Sequence, residues 1–88
     1  MNTFKLEIIT PETAYPPRDV VSVNVPAENG PLTVLARHQT MLCCLKTGTA
    51  KIVNPDSREE TWTIGQGTLT VRREMVTMLV QDARNSAG

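Results

Sequence analysis

Apolar and polar residues alternate with a period of two along most of this chain. Phe4, Leu6 and Ile8 alternate with Lys5, Glu7 and Ile9 as far as Pro11, which predicts a strand with one buried face. Val21, Val23 and Val25 alternate with Ser22 and Asn24, and Pro26 is expected to close that strand. Asn29-Gly30 predicts a tight turn, since both residue types tolerate positive φ, with a short strand at Leu32 and Val34 after it. Thr49 to Val53 reads as another strand, and Asn54-Pro55-Asp56-Ser57 is composed wholly of turn-favouring residues. Thr61-Trp62-Thr63-Ile64 alternates again with its threonines outward, and Leu69 and Val71 resume the pattern after Gly65-Gln66-Gly67. Arg72-Arg73-Glu74, lying before Val76, Met78 and Val80, is the expected tip of a hairpin. No window of about 11 residues or more carries a 3.6 period. From Gln81 to Gly88 there is no pattern.

Short strands with turn signals about every eight to twelve residues predict an all-β fold, a small antiparallel β-sandwich or flattened barrel of about 8–10 short strands. A chain of 88 residues supports one core, so the expectation is one domain over residues 1–83 and a short tail at 84–88. Leu6, Ile8, Val23, Val25, Leu32, Ile52, Ile64, Leu69, Val71 and Met78 are its predicted core.

Composition narrows the function more than the fold. Nine basic residues balance nine acidic ones without a block of either sign, which argues against a nucleic-acid module and its concentrated basic footprint. Phe4, Tyr15 and Trp62 are the only aromatics, too few and too scattered for a stacking platform. Lys5 and Glu7 stand where a signal peptide needs an apolar run, and no stretch approaches the ~18–20 apolar residues of a membrane span. The two cysteines are neighbours, Cys43-Cys44, unlike the spaced framework of a small secreted protein. These features predict a soluble, intracellular chain that inserts into no lipid and meets a membrane only through a partner.

No grouping of reactive side chains meets the requirements of a chemical site. His38, Cys43 and Cys44 are the only soft ligands close in sequence, but a structural zinc site takes four, and adjacent strand residues point to opposite faces. One buried and one surface thiol are expected instead. A His38–Cys43 nucleophile lacks an orienting third group and an oxyanion site. Gly65-Gln66-Gly67 is followed by neither Lys-Ser/Thr nor a helix, so it reads as a bulge or sharp bend, not a phosphate loop. Glu59-Glu60, beside Arg58 after a turn, reads as a solvated loop end. The reading is a non-enzyme with no catalytic residue, cofactor or metal. What remains is surface, above all Met41-Leu42-Cys43-Cys44-Leu45, an unbroken apolar run that implies burial on both faces. The core would cover one side. A partner protein, or the rest of the sandwich, would cover the other.

In this order the features resemble the epsilon subunit of F-type ATP synthases (delta in mitochondria) over residues 3–83. The resemblance is carried by Leu6-Glu7-Ile8-Ile9-Thr10-Pro11, by Val20 to Val25, and by Gly30-Pro31-Leu32-Thr33-Val34-Leu35-Ala36-Arg37-His38. It continues in Leu42 with Leu45-Lys46-Thr47-Gly48, in Gly67-Thr68-Leu69-Thr70-Val71, and in Val76 to Ala83. The chain departs from the family at Pro31, where the pattern has an acidic residue, and at Ala36-Arg37, where it has Pro-Gly. Gln66 replaces a glycine and Arg73-Glu74 a Pro-Gly hairpin tip.

The resemblance implies a non-catalytic rotor subunit that docks on the gamma subunit and on the c subunits of the membrane ring, coupling ion flow to ATP synthesis. By similarity Thr10, Leu42 and Cys43 would face gamma. Asn29, Gly30, Pro31, Arg37 and His38 would form the loop that faces the ring. The expected place is the cytoplasmic face of the bacterial inner membrane, as a peripheral part of the complex. The family's C-terminal helical hairpin, inhibitory in many bacteria and ATP-binding in some, has no counterpart before Gly88. Neither inhibition nor nucleotide binding is therefore carried over. The competing class, a free-standing β-sandwich binding module, predicts an exposed aromatic patch; a small hydrolase predicts a triad.

Overall fold

Ten strands and no helix account for the regular structure of residues 2–37 and 39–86, which the computed structural model describes. They are β1 (Phe4–Ile9), β2 (Ala14–Val20), β3 (Ser22–Ala27), β4 (Gly30–Leu35), β5 (Met41–Leu45), β6 (Gly48–Val53), β7 (Glu59–Ile64), β8 (Gly67–Val71), β9 (Met75–Val80) and β10 (Ala83–Asn85). The sheet runs β10-β7-β6-β3-β5-β8-β9-β1-β2, with β4 added to β3. It folds over at β3 into two layers, β10-β7-β6-β3-β4 and β5-β8-β9-β1-β2, joined by the Ala27–Leu45 pair and by hydrogen bonds from Glu28 N to Cys44 O and Lys46 N to Pro26 O. The fold class is all-β as expected. One pair departs from antiparallel pairing: β1 runs parallel to β9, Lys5 opposite Met75 through Ile9 opposite Leu79.

Alternation dictates the core. Leu6 and Ile8, Val23 and Val25, Ile52, Ile64, Leu69, Val71 and Met78 are buried together, each in the inward phase of its strand. Val20, Val34, Leu45, Trp62, Val76 and Val80 join them, while Leu32 packs against the cluster half-buried. Each fully buried branched side chain contributes about 1.5–3 kcal/mol of transfer free energy, and no buried polar side chain offsets it among the described residues.

Three expectations are corrected. Pro26 does not close β3 but lies inside it, opposite Pro31 of β4. Its carbonyl points away from β4 to accept Lys46 N at 2.9 Å, so neither proline needs a donor across that pair. The β3–β4 loop is Glu28–Asn29 rather than Asn29–Gly30. Within this hairpin only Gly30 takes positive φ, 125°, where a side chain would be strained. β2 and β10 carried no alternation and were not foreseen. β2 contains Pro16-Pro17 and survives because it is an edge strand with a register shift opposite Leu6–Ile8, the two settings that tolerate proline in a sheet. β10, in the segment read as patternless, has three residues and pairs with β7.

Candidate functional site

Once the core fixes which residues point in, the outward set follows, and the two layers present different chemistry. Across β5, β8, β9 and β1 the register aligns Leu42, Thr70, Thr77 and Glu7 in one outward row and Cys44, Thr68, Leu79 and Ile9 in the next. Leu42 is 69% exposed and Leu79 is 51% exposed. Across β7, β6, β3 and β4 the corresponding row is Thr61, Lys51, Asn24 and Thr33, tied by Asn24 Nδ2 donating to Thr33 Oγ1 at 2.7 Å. Leu35, 54% exposed at the end of β4, half-buried Val53 of β6 and the Pro26–Pro31 pair interrupt the polarity of that second face. The apolar row of the first face leads into an open groove of about 630 Å³ lined by Ile9, Thr10, Cys44, Thr68 and Leu79, with Glu28 as its one charged lining residue among those described.

The residues singled out in the sequence are partly brought together. Leu42 lies on the apolar face and Thr10 lines its groove, where the Thr10 hydroxyl also closes a turn by accepting Thr13 N at 3.0 Å. Cys43 points the other way, toward the core with Met41 and Leu45. Burial, and then the neighbouring Cys44, push its thiol pKa up. Cys44 is exposed. The two thiols therefore leave opposite faces of β5, and no group of three metal-ligating side chains occurs among the described residues. The run that implied burial on both sides is thus a one-sided strand whose outer positions happen to be apolar. Asn29, Gly30 and Pro31 sit at one end of β4. Arg37, at φ 66°, follows the other end, roughly 17 Å away at ~3.3 Å per strand residue. His38 lies outside the described residues. The expected single loop is two separate ends of the sandwich.

Sequence reasoning missed Glu60, which is no solvated loop end. Its side chain is only 21% exposed. It accepts two bonds from the Arg18 guanidinium, at 3.1 and 2.8 Å, and one each from Asn54 Nδ2 and Trp62 Nε1 at 2.9 Å and from Asn85 Nδ2 at 3.3 Å. The Arg18 hydrogen bonds, reinforced by Trp62 and Asn54, hold its pKa down at about 2 against the opposing effect of burial. A carboxylate so occupied is an anchor, not a base. It fastens the edge strand β2 to β7, and beside it Tyr15 meets Trp62 edge-to-face with ring centroids 5.1 Å apart. Trp62 is 5% exposed and Phe4 packs on the core, so the aromatic residues build no open platform. The inward phase Glu60–Trp62–Ile64 was the available signal. Gly65-Gln66-Gly67 is a sharp bend carrying the chain between layers. A Cβ at Gly67 would collide with the Leu79 carbonyl and lie 2.7 Å from Val80 Cα.

Residues 3–86 match the model of the ATP synthase delta/epsilon chain β-sandwich domain. The chain is 41% identical over 83 residues to the ATP synthase epsilon chain of Nitratiruptor sp., covering 94% of this chain and 64% of that one. It is 38% identical to the epsilon chain of Bacillus pumilus, covering 98% and 65%. It therefore spans less than two thirds of either relative's length. In fold it is similar to a chain of the Euglena gracilis mitochondrial ATP synthase, with a TM-score of 0.90 at 16% identity over 94% of this chain and 53% of that one. A chain of the Tetrahymena thermophila mitochondrial ATP synthase central stalk and c-ring gives 0.79 at 16% identity, over 94% of this chain and 66% of that one. The chain belongs to the β-sandwich domain family of ATP synthase delta/epsilon chains.

Proposed function

We propose that this chain is a non-catalytic rotor piece of an ATP synthase, docked on the gamma subunit through the outer face of β5–β8–β9–β1 and turned toward the c-ring by the β3–β4 hairpin. The observation that carries the reading is the pair of exposed leucines, Leu42 and Leu79, with exposed Cys44 and half-buried Ile9 beside them on one layer, where the other layer has Leu35 alone as an exposed large hydrophobic residue among those described. Water-exposed leucines on the paired interior of a sheet are what a protein interface covers. Its gamma-facing residues are Thr10 and Leu42, with Cys44 in the role expected of Cys43, whose side chain belongs to the core. Asn29, Gly30 and Pro31 form the ring-facing tip, and Arg37 stands too far away to share it. The close-packed core makes the domain a stiff spacer, so torque transmitted through it is not lost in deformation. It works peripherally at the cytoplasmic face of the bacterial inner membrane and needs no nucleotide, cofactor or metal of its own.

The test is binding of the folded domain to the cognate gamma subunit, measured by titration calorimetry. Leu42→Arg is expected to weaken binding on the order of thirtyfold, as for an interface hot spot. Lys51→Glu on the polar layer is expected to leave it unchanged. Equal losses for the two variants would remove the apolar face from the assignment.

A further inference from the structure

Resting on that reading, we infer that the groove at the end of the apolar face is the anchor pocket of the interface, and that it takes an apolar side chain of gamma from a segment that also carries a lysine or arginine. Three observations carry the inference. First, the groove is continuous with the exposed row: Ile9, Leu79, Thr68 and Cys44 both form that row and line the groove. It therefore crosses four strands, about 14 Å at ~4.8 Å per strand. Second, β8 and β9 are each paired on both edges, so the floor offers no free backbone for an added strand. Recognition there must use side chains. The groove is open rather than enclosed, with a volume of about 630 Å³, and Gly67 helps to form it where a side chain would strike the Leu79 carbonyl.

Third, the charge is one-sided. Glu28 is the only charged residue lining the groove among those described. It is exposed and has no ion-pair partner among the described residues, while its backbone N–H is held by Cys44 O at 3.0 Å. The hairpin thus fixes a single carboxylate beside an apolar slot. A partner segment with an apolar side chain next to a cation satisfies both features at once. An acidic or wholly polar segment satisfies neither.

Calorimetry of the intact domain with gamma tests this against the face reading. Thr68→Trp, which fills the groove from an outward position, is expected to weaken binding at least about tenfold. Glu28→Lys is expected to weaken it about threefold, with the loss shrinking as salt is raised. Unchanged far-ultraviolet circular dichroism shows that each variant is folded. Should Thr68→Trp misfold, carboxamidomethylation of the exposed Cys44 fills the same slot in the native sequence and must give the same loss. If Leu42→Arg weakens binding while the groove variants and Glu28→Lys do not, the anchor pocket is wrong and the face reading stands. If none of them weakens it, both are wrong. Dimerisation of the isolated domain that Thr68→Trp abolishes would give the groove to a second copy and also overturn the proposal.

Discussion

The outer face of β5–β8–β9–β1 and that of β7–β6–β3–β4 rest on one shared core and obey the same strand geometry, yet the first sets Leu42, Cys44, Leu79 and Ile9 among its threonines, while the second turns out Thr61, Lys51, Asn24 and Thr33 with Leu35 only at its end. Folding places no demand on either outward set, since both are outside the core. The difference between them is therefore about what each face meets. Threonine, asparagine and lysine are content in water. Exposed leucine gains nothing from folding and gains from being covered, at about 25 cal/mol per Å² of apolar surface removed from water. The chain thus has a face richer in exposed apolar residues, the one proposed to dock, and a more polar face, separated by a single layer of packed side chains.

The sharpest way to break the comparison is to place a charge at two adjacent positions that face opposite ways. Cys43→Arg puts a guanidinium against the core and is expected to destabilise the domain on the order of 3 kcal/mol or more, read as a lowered midpoint in urea denaturation. Cys44→Arg, one residue on, is expected to leave the midpoint nearly unchanged and to reduce gamma affinity instead. The next effect concerns the seam between the layers. Glu60→Gln loses the charged acceptor for Arg18 and is expected to cost about 1–2 kcal/mol without altering the gamma affinity of the molecules that remain folded. Because the Glu60 pKa is lowered on folding, its contribution is complete above about pH 4.5 and is lost as the pH falls toward 2. The wild-type domain should lose stability more steeply than the variant over that interval in acid denaturation. The smallest effect belongs to the more polar face. Thr49→Ala is expected to change stability by no more than about 0.5 kcal/mol and gamma binding not at all. A substantial loss of binding there would mean that the polar layer is also an interface.

What the sequence disclosed follows the same division. Strands whose outward residues are polar, such as β3 at Ser22–Val23–Asn24–Val25 and β7 at Thr61–Trp62–Thr63–Ile64, announce their inward phase directly. β5 does not, because the residues it turns outward are as apolar as those it buries. The feature that hid the phase of Cys43 is the one on which the proposed interface rests. β2 was illegible because Pro16-Pro17 reads as a loop, and only its edge position and shifted register make it a strand. Glu60 was illegible because two of its donors, Arg18 and Asn85, lie 42 and 25 residues away in the chain, a proximity that no local pattern encodes. The ends of β4 were merged for a simpler reason: Asn29 to Arg37 is short along the chain, but an extended strand converts short sequence distance into long spatial distance.

The parallel pairing of β1 with β9 has a consequence for how the molecule is made. Glu7 accepts a hydrogen bond from Thr77 at 2.8 Å, across 70 residues of chain, so β1 finds one of its neighbours only when β9, far later in the chain, is complete. Until then Phe4–Ile9 can pair with β2 alone, and its other edge, Leu6 and Ile8 included, stays open to any nearby chain. Domains held by such distant pairings fold slowly, and open strands are where nascent chains associate wrongly. Translation delivers this protein N-terminus first, whereas its sheet can be finished only from the C-terminal side.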